Sequence, residues 1–504
     1  RHELSRPRDR QPGARRPVFW GGNTTIREIF LTNGVVEVDN YAMAYCRQLT
    51  NVVLGTSLRS FGNSVLLANP KLRRVVLPEG LEKLGNATFQ DSGGLEEVVW
   101  PSTLDEVPRS TFYGCRNFTT IVWPSSNTVK LIGNRAFYYS GLVQVEIPES
   151  VTDIDERAFY RCDQLTSVRL PSGLTHLKKY LFAACSKLTE VAIPSNVTAI
   201  EEYAFSGCEE LKSITLPKST TSLCKGAFRN CTNLETITIN GNIGNCSDGY
   251  YYHTDGVFYN AGTNTDGMTV TFGSTVTKIP SNMFRTYEDR NSNYYAHVKK
   301  VIIPSSVQTI GSCAFDNCYD LRTFSIKSTN AQYDSESFEC TPSQLTFECY
   351  YGSTSEAFAK NNGYKIVYLA PETPVLSKIS NEKNGVKITW AAAGANSYTV
   401  YRKAGSATSW SKLATVGGDI TSYTASTVKS GTTYTYTVKA QNSSGSGSYN
   451  KTGLKTVCLT QPTVKVANKN GYVNVSWGKI TGAKGYYVYR KAGSATSWTK
   501  IATI

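Results

Sequence analysis

The amino-acid sequence predicts a mainly β protein: a solenoid of short stacked coils, followed by modules of alternating strands. Three observations predict it. One phrase recurs in register, as AFYRCDQLTSVRLP (158–171), LFAACSKLTEVAIP (181–194), AFSGCEELKSITLP (204–217) and AFRNCTNLETITIN (227–240). Pro148, Pro171, Pro194 and Pro217 stand 23 residues apart, as do Phe159, Phe182, Phe205 and Phe228, and Cys162, Cys185, Cys208 and Cys231. After Pro371 the phrase stops, and the decapeptide YRKAGSATSW stands at 401–410 and again at 489–498, a step of 88.

A period of 23 with the pattern L-x-x-I-x-I falls in the range of leucine-rich repeats. So small a unit cannot bury its own apolar face and has to stack on its neighbours. Leu211, Ile214 and Leu216 alternate as a short strand does, with Ile214 and Leu216 on one face. Pro217 ends that strand because it has no N–H to donate. Residues 197–200 run back across the solenoid, and residues 201–205 form a short turn or helix that drops Phe205 into the core. Stacked coils lie about 4.8 Å apart, so like residues form ladders.

The cysteine of the phrase needs its own reason. The slot three residues after the Phe holds Cys46, Cys115, Cys162, Cys185, Cys208, Cys231 and Cys318, but Asn69 and Ser92 in two sister units. A catalytic or metal-binding thiol would not tolerate those replacements. A small buried group that hydrogen-bonds a nearby carbonyl would, so the ladder cysteines are read as structural. Disulfides between stacked neighbours are disfavoured by the Cβ separation of a parallel ladder. Off the ladder, Cys340 could pair with Cys349, and Cys224 with Cys246; neither spacing decides it, and the total of 13 is odd. Close C-x-x-C pairs of the kind zinc uses are absent from the sequence, and no cofactor is expected.

Residues such as IPSNVTAIEEYAFSGCEELKSITLP (193–217) resemble the BspA-type leucine-rich repeats of bacterial cell-surface proteins, over roughly residues 25–369. The stretch YYGSTSEAFAKNNGYKIVYL (350–369) looks like that family's closing cap, and its residues fit the part. Ser353 or Thr354 caps a short helix, Glu356 sits in the first turn and Gly363 stops it. The rhythm breaks at 240–298, where Tyr250, Tyr251, Tyr252, Tyr294 and Tyr295 mark insertions. These either leave the solenoid as contact loops, for which rigid amphipathic tyrosine is suited, or pack over a widened coil.

Beyond Pro371, GVKITWAAAGANSYTVYRKAGSATSW (385–410) is echoed by YVNVSWGKITGAKGYYVYRKAGSATSW (472–498). With buried Trp390 and Trp477, these stretches resemble fibronectin type III modules, Ig-like β-sandwiches in which Tyr434 would be the tyrosine corner. The expected organisation is an Arg-rich segment (1–24), the solenoid (25–369), one sandwich (371–459) and part of a second (460–504). Both ends read as cuts in a longer protein.

The net charge of +14 is uneven: residues 371–504 carry 17 Lys+Arg against 3 Asp+Glu, which is all of it. That region could meet an anionic cell-wall polymer, although spread lysines also keep strand edges soluble, and the second reading is favoured. Without a basic run or basic helix, nucleic acid is not an expected partner. No apolar run of about 18 residues exists, so no transmembrane segment is expected.

Catalytic signatures are missing from the sequence: no H-E-x-x-H, no G-x-S-x-G and no phosphate-binding glycine loop. Of the four histidines, His253 and His297 lie in the insertions, where a metal or acid–base role is conceivable, and His176 reads as a surface residue on a strand. The resemblance implies a non-catalytic adhesion or binding protein outside a bacterial cell, meeting a protein or glycan of host matrix or another cell. The alternative is an accessory region of a surface hydrolase whose catalytic domain lies elsewhere. One surface candidate follows from strand alternation: Val53, Val76, Val99 and Val122 occupy outward slots, with Trp100 and Trp123 beside them facing in. Such a stripe can mark a binding face; β-branched neighbours equally stabilise a sheet laterally, and the second reading is favoured.

Overall fold

The computed structural model describes residues 21–244, 256–285, 295–334, 336–338 and 343–504. The Arg-rich segment up to residue 20, Tyr250, Tyr251, Tyr252, Tyr294, His253, Cys246 and Cys340 lie outside these residues. Two compact units form, one running up to Phe347 together with Gly363–Lys365, the other made of Glu348–Asn362 and Ile366–Ile504.

The first unit is a succession of stacked coils, each with three walls. The first wall is a short parallel strand, repeated from Glu28–Phe30 through Gln144–Glu146, Ser167–Arg169 and Ser213–Leu216 to Thr346–Cys349, fourteen times among the described residues. Its register repeats the sequence period: Val145 pairs with Val168, Val168 with Val191, and Ile214 with Ile237. The middle residue is buried and its neighbours face water, as in Arg74–Val76 and Gln144–Glu146. The second wall is a two-residue strand such as Asp153–Ile154 or His176–Leu177, which places His176 on the surface as expected.

The third wall is a turn, not a helix. In successive coils from Tyr41 to Asn230 two residues four apart take left-handed backbone, for example Tyr180 (φ 55°) with Ala184 (φ 57°), and Tyr203 (φ 56°) with Gly207 (φ 75°). That conformation points N–H groups along the stack. Tyr180 N, Phe182 N and Ala184 N donate to the carbonyls of Glu202, Ala204 and Ser206 in the next coil, at 3.0, 2.8 and 2.6 Å. The wall is thereby hydrogen-bonded coil to coil without a strand, which meets the requirement that buried backbone groups be paired.

Between the walls the phenylalanines stack. Phe159, Phe182, Phe205 and Phe228 follow one another at 5.5 Å with nearly parallel rings, and all are buried. The ladder continues through the insertions: Phe228–Phe258 is 5.5 Å and Phe258–Phe284 is 4.9 Å. The ring spacing on this wall is therefore kept across the insertions.

The second unit opens with the helix Thr354–Asn361, capped by Ser353, whose Oγ accepts from Glu356 N at 3.1 Å. The Glu356 carboxylate in turn accepts from Lys360 Nζ (2.6 Å) and Tyr368 Oη (2.7 Å). An antiparallel two-sheet sandwich follows. One sheet holds Leu376–Glu382, Gly385–Trp390 and Ser422–Ala425; the other holds Ser411–Gly417, Ser397–Ala404, Thr433–Asn442 and Gly445–Tyr449. Trp390, Tyr398, Val400, Tyr436 and Val438 fill the space between them. Tyr434 Oη accepts from Lys429 N at 3.0 Å. Residues 460–504 supply two hairpins, Val464–Lys469 with Tyr472–Trp477 and Tyr487–Arg490 with Thr499–Thr503.

Candidate functional site

The outer surface of the turn wall carries a column of stacked aromatic and cationic side chains. Each ladder phenylalanine anchors two outward positions. One residue after it stand Tyr113, Tyr138 and Tyr160, then the small residues Ala183, which is buried, and Ser206. Two residues before it stand Ser110, Arg135, Arg157, Tyr180 and Tyr203, then Gly226. The aromatic column thus changes position between Tyr160 and Tyr180, and the arginines fill the second column beside the tyrosines of the first.

Ring geometry records that change. Tyr113 stacks on Tyr138 (4.6 Å, 8°), Tyr138 on Tyr160 (4.9 Å, 16°) and Tyr180 on Tyr203 (5.0 Å, 7°). Tyr160 and Tyr180 instead meet edge to face, at 6.1 Å and 69°. The Arg157 guanidinium lies 4.6 Å from the centre of the Tyr180 ring, a cation–π arrangement. Tyr113, Arg135, Tyr138, Arg157, Tyr160 and Tyr180 together line a cleft of about 360 Å³.

Electrostatics make this cleft cationic. Arg157 pairs with Glu156 at 3.3 Å, and Lys179 pairs with Glu202, which holds the Lys179 ammonium above its ordinary range. Arg135 Nε is buried without a hydrogen-bond partner. Burial and the neighbouring phenols Tyr113 and Tyr160 push the Tyr138 hydroxyl up, so it remains a neutral donor. Alongside, Arg116 and Arg161 both cover Tyr139, at 4.4 and 5.5 Å.

The residues singled out from sequence lie elsewhere. Val53, Val76 and Val122 are exposed on the strand wall, and Val99 is half-buried between Val76 and Val122. Trp100 is buried as expected, but Trp123 is only half-buried, because its indole N–H reaches outward to Glu146 O at 3.1 Å. Tyr295, the one described among the five insertion tyrosines singled out, stacks on His297 at 4.2 Å. His297 Nδ1 meets Asp320 Oδ2 at 2.7 Å, and that contact is the main cause holding the Asp320 carboxyl below its usual range. No group of metal-binding side chains occurs among the described residues.

The ladder residues occupy the core. Cys115, Cys162, Cys185, Cys208, Cys231 and Cys318 are fully buried, and all are free thiols. Cys185, Cys208 and Cys231 donate to the carbonyls of Phe159, Phe182 and Phe205 at 3.1, 3.2 and 3.2 Å. Asn69 Nδ2 and Ser92 Oγ make the same bond to Met43 O and Leu66 O, at 3.0 and 2.8 Å. Burial holds the Cys115, Cys208 and Cys231 thiols far above their ordinary pKa, so none is a nucleophile. Cys224 and Cys349 are also free.

The tyrosine–arginine columns were not read from the sequence. The available signal was the doublet Phe-Tyr at 112–113, 137–138 and 159–160, which adds an outward aromatic to each ladder phenylalanine.

The family model for the BspA type leucine rich repeat region matches in six copies, over residues 18–130, 130–257 and 286–378. A leucine-rich repeat protein from Bacteroides ovatus is 23% identical, with 62% of this chain and 88% of that chain covered at a TM-score of 0.40. The pneumococcal vaccine antigen PcpA is 17% identical over 68% of this chain and 79% of its own, with a TM-score of 0.36. A leucine rich cell surface protein from Faecalibacterium prausnitzii is 19% identical over 69% and 88%, with a TM-score of 0.29. No curated protein matches significantly. No helix among the described residues is long and apolar enough to cross a membrane.

Proposed function

The chain belongs to the BspA-type leucine-rich-repeat family, and on that premise we propose that it is a non-catalytic binding protein of a bacterial surface. Its partner is an extracellular protein or glycan. The observation that carries this reading is the pair of outward columns, Tyr113, Tyr138 and Tyr160 beside Arg135, Arg157, Tyr180 and Tyr203. They ride on a scaffold whose hydrogen bonds run coil to coil, so they present a fixed surface at little ordering cost. The valine stripe serves lateral sheet stability in this reading.

The second unit is proposed as a fibronectin type III module at 371–459 with a further part at 460–504. Supporting it are the two-sheet order, Trp390 in the core, and the Tyr434 hydroxyl turned back to Lys429 N at 3.0 Å. Tyr398 and Tyr486, 88 residues apart, repeat one arrangement: each hydroxyl accepts a backbone N–H upstream, from Ala393 at 2.8 Å and Ile480 at 2.6 Å. Its lysines supply a secondary, electrostatic contact with an anionic wall polymer.

The test is retention of the whole chain on matrix proteins, mucin-type glycans and cell-wall polymers at low and high salt. Retention that survives high salt supports recognition by the solenoid. Retention lost in salt is the mark of diffuse lysine attraction and supports the wall-polymer contact alone. Absence of retention on every surface contradicts the binding reading.

A further inference from the structure

We propose that the cleft between the two columns binds a carboxylate- or sulfate-bearing sugar unit of an acidic polysaccharide. The proposal rests on the binding-protein reading and names its ligand class.

The first argument is charge. Arg135 and Arg157 both line the cleft. Glu156 pairs with Arg157, whereas Arg135 makes no ion pair among the described residues. A guanidinium presents a planar fork that matches carboxylate and sulfate oxygens two at a time. The cleft therefore wants an anion.

The second argument is which part of each ring is offered. Tyr113, Tyr138 and Tyr160 stack on one another within 16° of parallel, and Arg157 covers the Tyr180 ring. Tyr138 lies between two rings and Tyr180 between Arg157 and Tyr203, so edges and hydroxyls are what these rings offer a ligand. A nucleobase needs a free aromatic face and is not favoured. A peptide anchors through a buried apolar or aromatic side chain in a matching pocket, and this lining of phenols and guanidiniums provides none. A sugar ring needs hydroxyl partners on several sides, which phenol edges supply.

The third argument is placement. Arg135, Arg157, Tyr180 and Tyr203 all hold left-handed backbone, with φ between 55° and 59°. Ala87, Ser110 and Cys313 hold the same position in other coils, and Gly226 (φ 62°) in a later one, so the turn accepts a small residue or glycine there. Four successive coils instead carry a long side chain at that position. The coils repeat along the stack, so a polymer lying along it meets a phenol or a guanidinium at each of the coils from Tyr113 to Tyr203.

Calorimetric titration of the whole chain tests this, using hexasaccharides of hyaluronan (carboxylate only) and chondroitin sulfate (carboxylate and sulfate), with neutral cellohexaose as the third probe. Salt is set to screen diffuse attraction. At least one acidic probe binds and cellohexaose does not; which one binds identifies the anion. Arg135→Gly with Arg157→Gly, backbones that Gly226 shows to be tolerated, weakens binding by about tenfold or more with cooperative unfolding retained. If the glycines disturb the coil, Arg135→Gln with Arg157→Gln carries the same expectation. Unchanged affinity in a folded double variant overturns the site, and failure of both acidic probes overturns the proposal. Equal binding of a glutamate hexapeptide overturns the sugar class. If the acidic probes fail while salt-resistant retention on the panel persists, the binding-protein reading stands and only the ligand class falls.

Discussion

The Cys208 thiol donates to the carbonyl of Phe182, 26 residues earlier, at 3.2 Å, and Cys231 repeats this bond with Phe205. The thiol thus ties each coil to the ladder phenylalanine of the coil before it. Cys208→Ser keeps a small donor in the same place, as Ser92 does toward Leu66 O, and costs at most about 1 kcal/mol. Phe205→Ala opens a cavity between two stacked rings and costs roughly 3–5 kcal/mol. Urea unfolding monitored by circular dichroism compares the two; equal, severe losses would contradict the small-donor account.

Burial raises the Cys115, Cys185, Cys208 and Cys231 thiols well above their ordinary range, and it shields every described ladder thiol from reagent in the native state. Iodoacetamide at pH 8 should modify the half-buried Cys224 first and leave Cys162, Cys185, Cys208 and Cys231 intact until denaturant is added. Peptide mass spectrometry reads the order directly. Native-state labelling of the ladder would reopen a reactive role.

Two glycines separate backbone strain from crowding on the turn wall. A Cβ at Gly207 would meet nothing closer than 3.5 Å, whereas at Gly226 it would lie 2.4 Å from the Tyr203 ring. Gly207→Ala should cost only the left-handed strain, roughly 1 kcal/mol. Gly226→Ala should cost distinctly more, because Tyr203 has to move off its stack on Tyr180. Unfolding midpoints of the two variants supply the comparison.

Acid should loosen the closing helix before the coils. Burial raises the Glu356 pKa, but Lys360, Tyr368 and the Gly352 N–H outweigh it, and the net direction is down. A carboxylate with a lowered folded pKa contributes fully above its unfolded value, about 4.3, and loses that contribution as pH falls through the lowered value. Hydrogen exchange of residues 352–361 should therefore accelerate in that window. Glu356→Gln should abolish the pH dependence while leaving the helix less protected throughout.

The core was legible because burial imposes a period. Phe205 and Cys208 recur every 23 residues, and a group that must fit a fixed internal slot leaves a fixed spacing. The cap at Ser353 and Glu356 was legible for a similar reason, since helix ends need particular donors and acceptors. The tyrosine–arginine face was not, because it forms from two positions that trade residue types, Tyr160 in one column and Tyr180 in the other. Only the left-handed turn geometry brings those columns side by side. The insertion tyrosines drew attention instead, yet Tyr295 is engaged by His297.

The most direct measurement compares two surfaces on one chain: retention on the ligand panel at high salt, for Arg157→Gly with Tyr180→Gly, and for Val53→Thr with Val76→Thr. The account predicts that the first pair loses retention by about tenfold or more and that the second pair retains the wild-type level. Loss with the valine pair and persistence with the turn-wall pair would place recognition on the strand wall and contradict the account.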